Sequence, residues 1–237
     1  MSVPESNVKY WAVVPAAGVG KRMHADRPKQ YLEINGRALI EYAISRLIDV
    51  PHIEGVVVAI SAEDEYWPEL ELCLTKPVWV APGGVERCHS VLNALQELNT
   101  HASDEDWVLV HDAARPCVRM EDIASLIAQL TDDPVGGLLA VPVHDTMKRA
   151  GSNQRVISTE TREGLWHAHT PQMFRFGKLR HALEQAIEDE ALVTDEASAM
   201  ELAGNEPLLV EGHADNIKVT RPEDLDLATF YLQQQSK

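Results

Sequence analysis

The stretch Val13-Val14-Pro15-Ala16-Ala17-Gly18-Val19-Gly20-Lys21-Arg22-Met23-His24-Ala25-Asp26-Arg27-Pro28-Lys29-Gln30-Tyr31 runs from an apolar strand straight into a glycine loop. The loop carries Lys21, Arg22, Arg27 and Lys29 against a single carboxylate, Asp26. Gly18 and Gly20 let the backbone approach an anion closely, because no Cβ blocks the approach or forbids the dihedrals. The whole chain holds 37 acidic against 21 basic side chains, a net charge of −16, so four clustered cations need a reason. A polyanionic ligand such as a nucleoside triphosphate supplies one. The loop matches only the first part of G-x-G-x-x-G, with Met23 where the third glycine belongs, and no Lys-Ser/Thr pair completes a Walker A motif. Dinucleotide binding and P-loop hydrolysis are both disfavoured. About 20 residues separate the strand from the Asn35-Gly36 turn, where ~2–6 are usual in α/β units. Length of that kind marks a functional loop; a tight turn and a solvated basic face are the plainer alternatives.

Working outward, short apolar runs alternate with amphipathic segments. Trp11 to Val14 is followed by a helix pattern from about Ala38 to Ile48, then by Gly55 to Ile60, whose β-branched content reads as a buried strand. The rhythm continues through Val78 to Ala81, a helix from about Arg87 to Leu98, the strand Trp107 to Val110, a helix from about Glu121 to Leu130, and the strand Gly137 to Val141. This βαβ alternation predicts an α/β fold with a mostly parallel sheet, helices on both faces, and ligands beyond the carboxyl ends of the strands. From His144 to about Glu163 large apolar residues thin out around a Gly-Ser-Asn-Gln turn, which predicts a projecting β-hairpin arm at about residues 143–165. An isolated ribbon is marginally stable in water, so the arm is expected to pack on a second copy of the chain, with a mobile surface loop as the alternative. A helix over Lys178 to Asp189, strands over Pro207 to Glu211 and Asn216 to Thr220, and a last helix from Pro222 through Leu232 complete the pattern.

At 237 residues the chain suits one large α/β domain spanning 1–237, a size that buries about 70–75% of the unfolded surface. Its acidity argues for a soluble protein repelled by nucleic acid and anionic membranes. Cys73, Cys88 and Cys117 are odd in number with no C-x-x-C spacing, so neither a disulfide framework nor a zinc site is suggested. The opening residues show no basic apolar leader, and no apolar run is long enough to span a bilayer. A cytoplasmic enzyme is expected.

Three further stretches carry chemistry. In Val-Leu-Val-His-Asp-Ala-Ala-Arg-Pro, residues 108–116, Asp112 stands at the end of a buried strand, where a lone carboxylate is costly unless it meets a cation. Mg²⁺, which takes one or two carboxylates plus phosphate oxygens, is the natural partner, with Arg115 offering a planar fork to a second phosphate. An Asp112–Arg115 pair is the alternative. In Pro-Gly-Gly-Val-Glu-Arg-Cys-His-Ser-Val, residues 82–91, Gly83 and Gly84 allow a flat base against the backbone and Ser90 a hydrogen bond to its edge; an ordinary helix start reads equally from the same residues. Asp215 and Lys218 could supply a second metal ligand and an anchor for an acceptor phosphate, or merely pair with each other. No histidine spacing suggests a metal site or a triad, and none is assigned to catalysis.

Taken in order, Pro-Ala-Ala-Gly-Val-Gly-Lys-Arg-Met, Pro-Lys-Gln-Tyr, Gly-Gly-Val-Glu-Arg, Val-His-Asp-Ala-Ala-Arg-Pro, Asp-Thr-Met-Lys, Thr-Pro-Gln, Thr-Asp-Glu-Ala-Ser and Asp-Asn-Ile-Lys-Val-Thr resemble the 2-C-methyl-D-erythritol 4-phosphate cytidylyltransferases over about residues 8–232. The resemblance implies a Rossmann-like three-layer nucleotidyltransferase fold and a Mg²⁺-dependent homodimer in the non-mevalonate isoprenoid pathway. Such an enzyme joins CTP to methylerythritol phosphate and releases pyrophosphate. It also implies cytidine contacts at Ala16, Ala17, Gly18, Gly84 and Ser90, triphosphate contacts at Gly20, Arg22 and Lys29 with the last two catalytic, and a metal ligand at Asp112. The acceptor side would comprise Arg115, Thr194 and Lys218, joined by Thr146, Arg162 and Thr170 from the partner's arm. The chain departs from the common pattern at His89 and His169. A cytidylyltransferase for another polyol phosphate, such as ribitol 5-phosphate, is the nearest rival.

Overall fold

The computed structural model describes residues 8–18, 27–72 and 74–236. Its centre is a seven-stranded sheet. In chain order the strands are β1 (Tyr10–Pro15), the small hairpin β2 (Glu33–Ile34) and β3 (Arg37–Ala38), β4 (Ile53–Ile60), β5 (Val78–Pro82), β6 (Trp107–Val110), β7 (Gly136–Pro142), β8 (Met147–Ala150), β9 (Val156–Glu160), β10 (Trp166–Arg175) and β11 (Leu208–Glu211). The helices are α1 (Leu39–Ile48), α2 (Arg87–Leu98), α3 (Met120–Leu130), α4 (Phe176–Glu188), α5 (Glu196–Leu202) and α6 (Pro222–Gln235). Among the described residues none is long and apolar enough to cross a membrane.

The sheet order is β11-β7-β10-β6-β1-β4-β5, parallel throughout except for β10, which runs antiparallel between β6 and β7. Strands covered on both faces read as continuous apolar runs, and these runs divide by parity. Ala12, Val14, Val56, Val58, Trp107 and Leu109 face one core, which α1 and α3 close with Ile40, Ile44, Leu47, Ile123, Leu126 and Leu130. Trp11, Val13, Val57, Ala59, Val108 and Val110 face the other, closed by Val91, Leu95 and Leu98 of α2 and by residues of α4 and α5. Helix α6 covers a third cluster around Leu39, Cys117 and Val219.

Two expectations need correction. Asn216 to Thr220 is not a strand: its backbone makes one sheet-like contact, Val219 N–H to the Ala114 carbonyl at 2.8 Å, while local backbone turns at Asn216 and Ile217 and side-chain bonds hold the rest. Conversely, β10 is central to the sheet although its sequence pattern does not predict a strand, because Pro171 lies inside it and proline cannot donate to a ladder. The pairing with β7 breaks between Ala168 and Gln172, and the proline sits in that break, after a cis Thr170–Pro171 bond.

The arm is present as β8 and β9, hydrogen-bonded to each other in a separate two-stranded sheet. Its base is closed by Val143 N–H to the Leu165 carbonyl and by Arg162, which donates to the His144 carbonyl.

Candidate active site

Between β1 and β6 the chain's order of strands reverses: β4 and β5 are added on one side of β1, and β6 returns on the other. At such a switch point the loops leaving the two strands part and open a crevice. Here it is a cavity of about 460 Å³, lined by Pro15 at the end of β1 and Ala16 to Gly18 after it, Gly84 to Arg87 and Ser90 after β5, Asp112 to Ala114 after β6, Lys29, Gln30 and Lys218.

Each wall has a local cause. The start of the loop after β1 is pinned at Ala16, whose N–H donates to the Ala59 carbonyl at 2.7 Å and whose carbonyl accepts from the buried Gln30 amide at 2.6 Å. Lys29 starts a single 3₁₀ turn, Lys29–Tyr31. That turn is anchored by Gln30 and by Tyr31, whose hydroxyl donates to Asp64 at 2.8 Å while its ring stacks on Tyr66. The opposite wall depends on close approach: a Cβ on Gly83 would lie 2.2 Å from that of Ala17, and one on Gly84 2.2 Å from that of His89. Ser90 Oγ accepts the Gly84 N–H at 2.9 Å and donates to the Glu86 carbonyl at 3.2 Å, shaping the turn itself.

Asp112 is the electrostatic centre. Arg87 Nε lies 3.0 Å from Oδ1, Lys218 Nζ 2.7 Å from Oδ2, and Arg115 Nε 3.8 Å from Oδ2. Burial alone would push this carboxyl up, but Arg87, Lys218 and Arg115 together hold it well below the usual carboxylate range. It is therefore an anion and a poor proton acceptor. Arg87 also forms a bidentate pair with Glu196, at 2.6 and 3.1 Å, which keeps its guanidinium charged despite burial. Glu196 is held in turn by the start of α5, where Gln172 accepts from Ala197 N–H and donates to Asp195, the helix cap.

Behind Asp112, burial pushes His111 down to about 4, so its imidazole is neutral at pH 7. Nε2 faces the Arg115 carbonyl at 3.0 Å and must carry the proton, which leaves Nδ1 to accept from the Thr170 hydroxyl at 2.9 Å. That hydroxyl accepts the Asp112 N–H at 3.0 Å. Thr170, expected on the partner's arm, is thus bonded beside Asp112 of its own chain because β10 lies next to β6.

The other predicted residues divide. Ala16, Ala17, Gly18, Gly84, Ser90, Lys29, Asp112 and Lys218 are brought to one cavity. Gly20 and Arg22 lie outside the described residues. The Arg115 fork is directed to backbone, donating to the Asn216 carbonyl at 2.6 Å and the Ala168 carbonyl at 3.4 Å. Asp215 is not brought to Asp112: it lines a separate cavity, takes Arg119 at 2.8 Å and accepts from Gln235. The Asp215–Lys218 pair does not form, since Lys218 reaches Asp112 instead. Thr146 and Arg162 are exposed at the arm, and Thr194 is exposed before α5. Arg87, Glu196, Gln30 and His111 received no role from the sequence. The one available signal was an arginine in the first turn of α2, where the helix dipole favours anions.

A sequence profile of the 2-C-methyl-D-erythritol 4-phosphate cytidylyltransferases matches residues 10–234. The protein of that name from Pseudomonas fluorescens (strain SBW25) is 55% identical over 218 residues, covering 92% of this chain and 93% of the relative. Solved structures of the same description agree in fold. The Francisella tularensis protein has a TM-score of 0.82 at 37% identity, covering 94% of this chain and 99% of its own. The Thermus thermophilus protein has a TM-score of 0.79 at 28% identity, covering 95% of this chain and 100% of its own. With the strand-end cavity and its cations in the expected place, the chain belongs to the 2-C-methyl-D-erythritol 4-phosphate cytidylyltransferase family.

Proposed function

We propose that this chain transfers the cytidylyl group of CTP to 2-C-methyl-D-erythritol 4-phosphate, releasing pyrophosphate, as a step of isoprenoid-precursor synthesis. The carrying observation is that Lys29, Asp112 and Lys218 share one cavity whose other wall is the Gly84–Ser90 turn. An acceptor phosphate oxygen attacks the α-phosphorus, a new P–O bond forms, and the bond to the β-phosphate oxygen breaks. The acceptor is already anionic at neutral pH, so no general base is required, in keeping with the low basicity of Asp112. Charge repulsion and misalignment are the barriers. Lys29, with Arg22 from the same loop, counters the first by meeting charge that grows on the α-phosphate and the leaving pyrophosphate. Gly84 and Ser90 hold the base, while Lys218 orients the acceptor phosphate.

Mg²⁺ fits the donor set at Asp112: a single hard carboxylate beside a phosphate site, with its Oδ2 now held by a Lys218 side chain that is 36% exposed and able to yield it. When bound, the ion supplies charge neutralisation of the triphosphate. The homodimer reading rests on the arm, where Val156 and Ile157 are 63% and 69% exposed on a ribbon paired with itself. Thr146, Arg162 and the acceptor site of a second copy would then meet.

The test is pyrophosphate release across a nucleotide panel with methylerythritol phosphate or ribitol 5-phosphate, with and without Mg²⁺. CTP with methylerythritol phosphate should dominate. Equal or faster turnover of ribitol 5-phosphate overturns the assignment. Sedimentation of Ile157→Asp should show a monomer where the parent chain is a dimer.

A further inference from the structure

We propose that Glu86, Cys88 and His89 form a binding site for a thiophilic divalent cation of the zinc class on the rim of the cytidine cavity. Among the described residues they are the one group of carboxylate, thiol and imidazole whose donor atoms all lie within 4.8 Å of one another. Cys88 Sγ is 3.6 Å from His89 Nδ1 and 4.0 Å from Glu86 Oε2. A tetrahedral zinc with Zn–S near 2.3 Å and Zn–N near 2.0–2.1 Å sets its sulfur and nitrogen about 3.5–3.6 Å apart, so this pair needs little movement. One thiol proton can serve at most one of the two groups converging on the sulfur, whereas a cation serves all three.

Donor chemistry sets the selectivity. Sulfur and imidazole favour zinc-class ions, while Mg²⁺ prefers an all-oxygen shell, so the two cations sort between this site and Asp112. Three protein ligands leave a fourth position for water. Arg87, which lies between the ligands in sequence, directs its guanidinium to Asp112 and Glu196 and so leaves the site.

The site is mechanically joined to the nucleotide wall. Glu86 lines the cavity, its carbonyl accepts from Ser90, Ser90 accepts from Gly84, and Gly84 packs against His89. Fastening Glu86 to His89 therefore restricts the turn against which the base lies, and zinc should change CTP affinity several-fold. This coupling rests on the nucleotide reading given above; the cation site does not.

Cobalt(II) titrated into the nucleotide-free chain tests the site through its near-ultraviolet thiolate-to-metal band. The band should saturate at one equivalent, be displaced by Zn²⁺, vanish in Cys88→Ala, and require at least tenfold more Co²⁺ in His89→Ala. His89 is only partly buried, so that variant remains informative if Cys88→Ala fails to fold. Absence of the band, or an equal band in Cys88→Ala arising from Cys73 or Cys117, overturns the site. CTP titrations with and without Zn²⁺ should differ in the parent chain and coincide in His89→Ala; coincidence in both overturns the coupling. Failure of CTP to bind at all counts against the nucleotide reading alone, so the two ideas fail separately.

Discussion

The cavity and the arm are both stitched by arginine–carboxylate pairs, and burial separates them. Arg87 meets Glu196 at 2.6 Å with side chains 26% and 1% exposed, whereas Arg149 meets Glu160 at 2.8 Å with side chains 65% and 35% exposed. Distances alone would rank them as equals. A buried carboxylate such as Glu196 cannot exchange its partner for water, so losing Arg87 strands its charge, while an exposed pair is screened and replaceable. The cavity is thus set within one chain by Arg87, Glu196 and Asp112. The arm leaves Val156 and Ile157 uncovered.

The sharpest way to break this contrast is to remove a cation from the cavity. Lys29→Ala should lower turnover by roughly 10²–10³-fold, the scale of one transition-state charge contact; near-normal pyrophosphate release by a folded variant would remove Lys29 from the chemistry. Next in size is the support beneath Asp112. Thr170→Val leaves the Asp112 N–H and His111 Nδ1 without partners and should cost about 1–3 kcal/mol in urea unfolding, with Thr170→Ser recovering most of it. If Val and Ser behave alike, the hydroxyl network is not what holds the strand end.

Acid probes the same buried region without mutation. Burial lowers His111 to about 4 in the folded chain, against about 6.5 when unfolded. Between those values the unfolded chain binds the extra proton, so the contribution is complete above about pH 6.5 and is lost as pH falls toward about 4. Asp112, held below the carboxylate range, adds a loss of the same sign at still lower pH. Through His111 alone, stability at pH 5 should be roughly 2 kcal/mol below that at pH 7, and a His111 imidazole titrating near 6.5 by NMR would refute the cause. The smallest effect is expected at the arm: Arg162→Ala should weaken methylerythritol phosphate binding roughly tenfold and leave CTP affinity unchanged. Calorimetry showing the reverse pattern would place Arg162 on the nucleotide side.

Much of the fold was legible because its signals are local. Trp11–Val14, Gly55–Ile60 and Trp107–Val110 are apolar on both faces, which only a strand with helices above and below accommodates. The placement of Ala16–Gly18 and Asp112 at one cavity was legible because each stretch closely follows such a run. Strand β10 was not, since Pro171 and its histidines contradict local strand chemistry and the break in its ladder is set by neighbours far along the chain. Arg87 showed only an unexpected cation in the first turn of α2, not its role: its partner Glu196 lies 109 residues away.

By itself the sequence determined which side chains stand at the carboxyl ends of the strands, and therefore that Lys29 and Asp112 come to one cavity there. Only the tertiary structure decided who pairs with whom: Lys218 with Asp112 and not Asp215, Thr170 with its own chain's Asp112, and Arg115 with backbone carbonyls. The reason is physical. Strand and helix patterning arise from sterics and burial over a few neighbouring residues, whereas ion pairs and buried hydrogen bonds depend on distance in space, which exists only once the sheet has assembled.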